Sequence, residues 1–497
     1  MRVLLIGFYN PKALGLRYLE RSLQSAGHEV RILFFKRFNS VRPKGASAKE
    51  LALLCNEVGA FNPGLIGLSV MASLYMETVD AVSLTLRTHF PSIPLAWGGA
   101  YVTMFPGESL KRCDYALRGE GEEAVAELVA ALEGGSPVDG IQNLSFMRDG
   151  KLVENPLRPL ATDLDRFGLP DIGGVNKALI ENDTLTPGDP QLSSYSYETG
   201  AGRGCPYACS YCCSVNINRL YKGLGPVVRF RDPDKVIEEL RAAKSSMKKL
   251  LFIHFWDEIF SDDPAWVDRF AERYKREINL PFEIWGHPLK TNRQTIQKLR
   301  KAGLYQVVMG IQSGSPSIRK DVFHRPESQE AILQAARTLK DCRVPHVIYD
   351  LMLRHPFETE DSIKETFELC LAMPRGFSLQ MHGLNFLPGT DIVAMAVERG
   401  LVPPDEMESL LTADMDAQYS FHWKRDNQNP VINFWYNLIY LTQFGCFRKL
   451  AVRLSRDPQS SENHRKAEAA AGRAAKLERF RNLTHKLRTA WRGFRKR

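Results

Sequence analysis

Residues 202–213 read Gly202-Arg203-Gly204-Cys205-Pro206-Tyr207-Ala208-Cys209-Ser210-Tyr211-Cys212-Cys213, and the rest of the chain is arranged around them. Three thiols spaced Cys-x3-Cys-x2-Cys in one short loop, with an aromatic before the last, can wrap one face of an iron–sulfur cube. Thiolates are the usual ligands of such clusters. A structural zinc site asks for four protein donors in a closed tetrahedron. Only three are regularly spaced here, so the spacing predicts a [4Fe-4S] cluster on Cys205, Cys209 and Cys212, with one iron left open to an exchangeable ligand. Cys213, next to a ligand, is expected to pack. Cys55, Cys113, Cys342, Cys370 and Cys446 are scattered through helical or strand contexts and read as ordinary thiols.

Downstream, the apolar pattern alternates between helix and strand periods. Helices are predicted over 233–246, 264–278, 291–301, 329–341 and 359–373, and strands over 249–255, 282–286, 305–311, 344–352 and 378–385. With a strand ahead of the cysteine loop, this makes about six βα units: a partial (β/α)6 barrel of the TIM type, short of the closed eightfold one. Strand C-termini in such barrels face the active site. Asp257, Glu258, Gln312, Ser313, Asp350, His382 and Asn385 fall there. An acidic pair after a strand also serves as a helix cap, and His254, His287, His324 and His355 read as packing or surface histidines.

Upstream, residues 1–140 predict a doubly wound parallel sheet. Strands are expected over 2–8, 30–35, 65–70, 94–97 and 115–118, with helices over 14–26, 48–58, 78–89 and 122–132. Ligands of such sheets bind at the carboxyl ends of the strands. The loops there carry Ser69, then Gly98, Gly99 and Thr103, then Gly119 and Glu120: glycines for close backbone approach and hydroxyls at the rim. Residues 141–195, punctuated by Pro156, Pro159, Pro170, Pro187 and Pro190, read as a linker. The expected organisation is thus α/β throughout: sheet domain 1–140, linker 141–195, barrel 196–395 and a helical region 396–497.

The cysteine loop resembles that of the radical S-adenosylmethionine enzymes. The resemblance implies that the open iron chelates the amino and carboxylate groups of S-adenosylmethionine, and that an electron from the cluster releases a 5′-deoxyadenosyl radical. It also implies cofactor contacts from the Asp257-Glu258 pair, from Gln312 and Ser313 within Gly310–Ser315, and from Asp350. The ordered rims of residues 1–135 resemble the flavodoxin-like cobalamin-binding domain that precedes many radical modules, implying that Ser69, Gly98, Gly99, Thr103, Gly119 and Glu120 border cobalamin. One departure stands out. Where many cobalamin domains have Asp-x-His-x-x-Gly, this chain has Asn10-Pro11-Lys12-Ala13-Leu14-Gly15. Without an imidazole at Lys12, cobalt lacks that lower ligand, as in many members of the radical subgroup. The expected activity is methyl transfer to an unactivated carbon of a small molecule, with an electron donor such as flavodoxin or ferredoxin. Oxidative cyclisation, as in anaerobic porphyrin-ring cyclases, is the enzymatic alternative. A non-catalytic iron–sulfur and corrinoid sensor or carrier is the alternative from another class. A methylthiotransferase would need three further cluster cysteines upstream, where only Cys55 and Cys113 lie.

A chain of 497 residues predicts two or three domains. Its 44% hydrophobic and 25% charged content is that of a globular protein. No apolar run reaches the ~18 residues of a membrane span and no signal peptide opens the chain, so a cytoplasmic location is expected. The whole chain carries +9, yet residues 448–497 alone carry +12, from 16 Lys and Arg against 4 Asp and Glu, so residues 1–447 carry −3. Within that tail Leu477, Phe480, Leu483, Leu487, Trp491 and Phe494 recur every three or four residues among Arg479, Arg481, Lys486, Arg488, Arg492, Arg495 and Lys496. A basic amphipathic helix results. A solvated tail, partly frayed, is the first expectation and association with an anionic membrane surface the second; packing on its own protein is a further alternative, and nucleic acid is not an expected partner.

Overall fold

The computed structural model describes residues 1–39, 44–418 and 429–495, the last of these without all side chains beyond 481. Two sheets organise it, one mixed with a parallel centre and one all parallel. The first contains β1 (Arg2–Phe8), β2 (Glu29–Phe35), β3 (Leu65–Ser69), β4 (Leu95–Gly98), β5 (Tyr115–Leu117), β6 (Leu144–Arg148), β7 (Lys151–Glu154), β8 (Lys177–Glu181) and β9 (Thr184–Pro187), in the order β7-β6-β5-β4-β3-β1-β2-β8-β9. β1 is central and covered on both faces, which is why Val3–Phe8 is apolar without alternation. Val3 and Leu5 pack under the helices Leu14–Ser25 and Glu122–Gly134. Leu4, Ile6 and Phe8 pack under Ala48–Phe61 and Met76–His89. The expected doubly wound sheet is present.

The linker reading of residues 141–195 needs correction at the level of elements. The segment folds as two hairpins, β6–β7 and β8–β9, that extend the sheet at opposite edges. β8 runs parallel to β2, while β6 runs antiparallel to β5. Buried ion pairs pin the β8–β9 hairpin: Lys177 Nζ to Glu20 at 2.7 Å and Arg17 to Asp189 at 2.7 Å.

Next come β10 (Ser196–Thr199), the short antiparallel pair β11 (Gly202–Arg203) and β12 (Arg229–Phe230), and then β13 (Phe252–Phe255), β14 (Phe282–Gly286), β15 (Leu304–Gln312), β16 (His346–Leu353) and β17 (Ser378–Gly383). β10 and β13–β17 form a six-stranded parallel sheet in sequence order. This is the expected partial barrel. Its outer helices start where side-chain oxygens cap them: Asp232 on Asp234 N, Asp263 on Trp266 N, Asn292 on Thr295 N, Ser328 on Ala331 N and Thr359 on Ser362 N. Alternation along the strands sends Phe255, Met309 and Leu351 into the helix-facing core and leaves Asp350 and His382 on the other, half-buried face.

The helix Pro430–Thr442 covers the barrel's outside. Trp435 Nε1 donates to Glu360 at 3.0 Å and its ring lies against Phe367 of the helix Glu360–Ala372. The tail is one helix, Ser461–Arg495, whose Ala467, Ala470 and Ala474 are buried against the core. The side chains of Leu483, Lys486, Arg488, Arg492, Phe494, Arg495 and Lys496 lie outside the described residues.

Candidate active site

The cysteine loop runs from β11 to the helix Cys213–Leu220 and is clamped along its length. Ser210 donates from its amide to Phe323 O at 3.2 Å and from its hydroxyl to Val322 O at 2.5 Å, while Ile392 N donates to Ser210 O. Asn218 Nδ2 donates to Cys205 O at 2.9 Å. Both tyrosines work inside this clamp. Tyr207 stacks on His287, ring centroids 3.9 Å apart. Tyr211 accepts from Arg325 Nη1 at 3.0 Å and donates to Cys209, and Arg325 is held by Glu327 at 2.5 Å.

The three thiols lie within electrostatic reach of one another. Burial pushes Cys205 up to about 11, and Cys209 is raised for the same reason, partly offset by the Arg325 charge. Cys212 is the N-cap of its helix and is lowered, chiefly because the Cys213 thiol donates to it. Cys213 is raised by that same bond. A closed zinc site draws donors to ~2.3 Å from one ion. Among the described residues no group of three or more His, Cys, Asp or Glu stands close enough to do so. Thiolates on a cube bind separate irons and need only share a loop with one face open. Cys205, Cys209 and Cys212 in one loop, with the Cys213 thiol turned onto Cys212, fit that.

At the barrel rim the acidic pair divides its work. Asp257 is buried, and its two oxygens accept from Ala201 N at 3.0 Å and Gly202 N at 2.5 Å, so it anchors the root of the cysteine loop rather than facing a ligand. Burial raises it to about 7. Glu258 is exposed and near enough for its charge to act on Cys205, Cys212 and Cys213. Gln312 is buried in a left-handed conformation, φ 68°, with Oε1 unpartnered. Asn385 Oδ1 is a second buried acceptor without a partner. Ser313, by contrast, turns away: its hydroxyl accepts from Ser315 N at 3.1 Å and meets Thr366 at 3.5 Å. Asp350 pairs with His382 Nε2 at 2.8 Å.

The rims of the first sheet enclose a cavity of about 330 Å³. Ser69, Gly98, Gly99, Gly119 and Glu120 line it beside Leu5, Ala96 and Leu117. Two glycines are required by the fit: a Cβ on Gly99 (φ +113°) would stand 2.5 Å from Val70 O, and one on Gly119 (φ +67°) would collide with the Tyr221 hydroxyl. The volume suits a side arm of a large cofactor rather than a macrocycle. Thr103 ties two rims together, donating to Gly99 O at 2.9 Å and accepting from Gly119 N at 2.8 Å. Glu120 is engaged by Arg203 and Arg229. Lys12, at the position of the missing histidine, reaches the barrel and pairs with Glu198 at 2.9 Å.

Sequence reasoning missed Arg325, Glu327 and the role of His287, because they reach the cysteine loop from loops roughly 80 to 120 residues away along the chain. It also missed Arg203, although that residue sits inside the motif; a lone arginine between glycines gives no signal of its partner.

Residues 201–370 match the Radical SAM superfamily and residues 8–129 the B12 binding domain. An uncharacterized methyltransferase of Pyrococcus horikoshii is 24% identical over 398 residues, covering 78% of this chain and 79% of that protein. The anaerobic magnesium-protoporphyrin IX monomethyl ester cyclase of Rubrivivax gelatinosus is 24% identical over 63% of this chain, which spans only 55% of the cyclase. Among solved structures, the radical S-adenosylmethionine methyltransferase TsrM from Kitasatospora setae, with cobalamin and a [4Fe-4S] cluster bound, superposes with a TM-score of 0.63 at 15% identity, covering 94% of this chain and 99% of that one. The chain thus joins a B12 binding domain to a Radical SAM superfamily domain, and the cofactors of that pair are a [4Fe-4S] cluster, S-adenosylmethionine and cobalamin.

Proposed function

We propose that this enzyme transfers a methyl group to an unactivated carbon of a small molecule. When bound, the cluster supplies the electron that cleaves S-adenosylmethionine, and cobalamin supplies a transferable methyl. The observation that carries the reading is the junction itself: the cavity walled by the cobalamin-type rims is also walled by Gly200, Gly202 and Arg203 at the root of the cysteine loop. Cys205, Cys209 and Cys212 hold the cluster. Glu258 takes the ammonium of S-adenosylmethionine, with Asp257 setting the loop behind it. Gln312 offers its unpartnered oxygen to the ribose end, and Asp350 with His382 lines the barrel interior. Ser69, Gly98, Gly99 and Gly119 border the cobalamin arm, while Thr103, Ser313 and Glu120 support backbone and domain contacts. Flavodoxin or ferredoxin supplies the electron. The tail helix brings the enzyme to an anionic membrane surface from the cytoplasmic side.

Anaerobically reconstituted protein, given reductant, hydroxocobalamin and S-adenosylmethionine, should form both 5′-deoxyadenosine and S-adenosylhomocysteine. The second product marks methyl replenishment. Deoxyadenosine alone would favour cyclisation, which the cyclase relatives make the second reading. Neither product would favour a sensor or carrier. Cys209→Ala should abolish both.

A further inference from the structure

The wall of the cavity and the stalk of the cysteine loop are one piece of chain. Gly200, Gly202 and Arg203 face the cavity, and Cys205 follows two residues after Arg203. This stalk is held from both sides. Arg203 donates to Glu120 Oε1 at 3.1 Å, on the loop that forms the opposite cavity rim, and to Glu122 Oε1 at 2.5 Å, at the start of the helix that follows it. Its guanidinium lies over the rings of Tyr18 and Phe167, 5.3 and 5.6 Å from their centroids. Glu120 is gripped at the same time by Arg229, at 2.8 and 3.0 Å, the residue paired with Arg203 across β11–β12. From the barrel side, Asp257 takes the amides of Ala201 and Gly202. The backbone has no slack: a Cβ at Gly202 would stand 2.7 Å from Arg229 O, and one at Gly204 2.1 Å from Val227 O.

We infer that Glu120 is a positioning residue which, through Arg203 and Arg229, couples occupancy of the cobalamin cavity to the seating of the cluster loop. The inference rests on reading that cavity as the cobalamin site. Separating a largely buried carboxylate from two arginines leaves uncompensated charge, so the rim and the stalk move together rather than part. A ligand that orders the rim therefore orders the stalk. By linkage, a cluster that orders the stalk tightens the ligand in the cavity by the same factor.

The test uses the full chain, cluster-loaded or stripped of iron by a chelator, titrated with hydroxocobalamin by visible absorption. The loaded form should bind roughly 5-fold or more tightly, the lower end of ordinary coupling between sites. Reciprocally, bound hydroxocobalamin should slow iron loss to a chelator by a similar factor. Glu120→Gln, which keeps the shape and loses the charge, should lose most of both differences, whatever its own affinity for hydroxocobalamin. Arg203→Lys, which keeps a charge and loses the fork, should do the same if the glutamine variant misfolds. Equal binding by the two wild-type forms, with unchanged iron loss, overturns the coupling while leaving the cavity assignment intact. A variant that binds and keeps both full differences overturns the role of the staple. Absence of hydroxocobalamin binding to either wild-type form overturns the cavity assignment and the coupling with it.

Discussion

Gly98 and Gly99 stand side by side at the end of β4, yet the backbone needs only one of them to be glycine. Gly99 has a left-handed φ and the carbonyl of Val70 where a Cβ would go; Gly98 has ordinary space, its nearest neighbour being Leu117 Cβ at 3.7 Å. Gly98→Val should therefore fold, with melting temperature little changed, while its side chain enters the cavity. Hydroxocobalamin affinity should fall at least tenfold, about 1.4 kcal/mol, in an absorption titration; unchanged affinity would place the cofactor elsewhere. Arg325 offers the opposite case, a residue spent entirely on its neighbours. It is buried with Glu327 and holds Tyr211 against Cys209. Arg325→Met should strand that carboxylate, costing about 3–5 kcal/mol, and lower both the melting temperature and the iron content of anaerobically purified protein. At this scale the sequence announced the thiols, because their spacing is local. It was silent on Arg325, whose partner Tyr211 is brought near only by the barrel.

Elements were legible where their burial pattern is regular. The strands of both sheets and the helices between them follow from apolar runs bounded by capping residues. The hairpins β6–β7 and β8–β9 do not: their strands are four or five residues long, β7 and β9 are largely exposed, and prolines flank them. What holds β8–β9 is ion pairing with the helix Leu14–Ser25, and what holds β6–β7 is its ladder to β5 with the Arg118–Glu154 pair; periodicity registers neither. The helix Pro430–Thr442 shows another such docking. Its Tyr436 donates to Glu358 at 2.6 Å, and the amide of Arg354 donates to the same carboxylate at 2.8 Å. Burial raises Glu358 to about 7. The folded chain thus keeps a proton there at pH values where the unfolded chain, with a carboxyl near 4.5, has lost it. Stability from this group is full below about pH 4.5 and declines as pH rises to 7. Glu358→Gln retains an acceptor without the charge, so its stability relative to wild type should improve from pH 4.5 to pH 7.5, by up to about 3 kcal/mol. Denaturant melts at the two pH values would show it, and a constant difference would refute the assignment.

Over the whole molecule, positive charge gathers at one end. The first 447 residues carry −3 and the last 50 carry +12. Among the described residues, no helix is long and apolar enough to cross a membrane. The tail helix is docked by one side only, through its buried alanines and through Arg481, which donates to Gln443 at 2.6 Å. Leu477, Phe480 and Leu487 fall within one stripe at 100° per residue and are 45%, 66% and 61% exposed, with Trp491 on the same stripe. Arg473, Lys476 and Arg479 flank it in solvent. An apolar stripe beside cations is what an anionic lipid surface takes up: the rings and leucines enter the headgroup boundary, and each cation adds about 1 kcal/mol. A second copy of the chain would meet like charge there. The enzyme should co-sediment with vesicles containing phosphatidylserine and leave them as salt rises. Phe480→Glu should weaken that binding severalfold while iron content and S-adenosylmethionine cleavage stay as they were, since the Phe480 side chain is 66% exposed and is none of the residues assigned to the cluster or the cofactors. Equal affinity for neutral phosphatidylcholine vesicles, or none for either, would remove the membrane from the account without touching the chemistry.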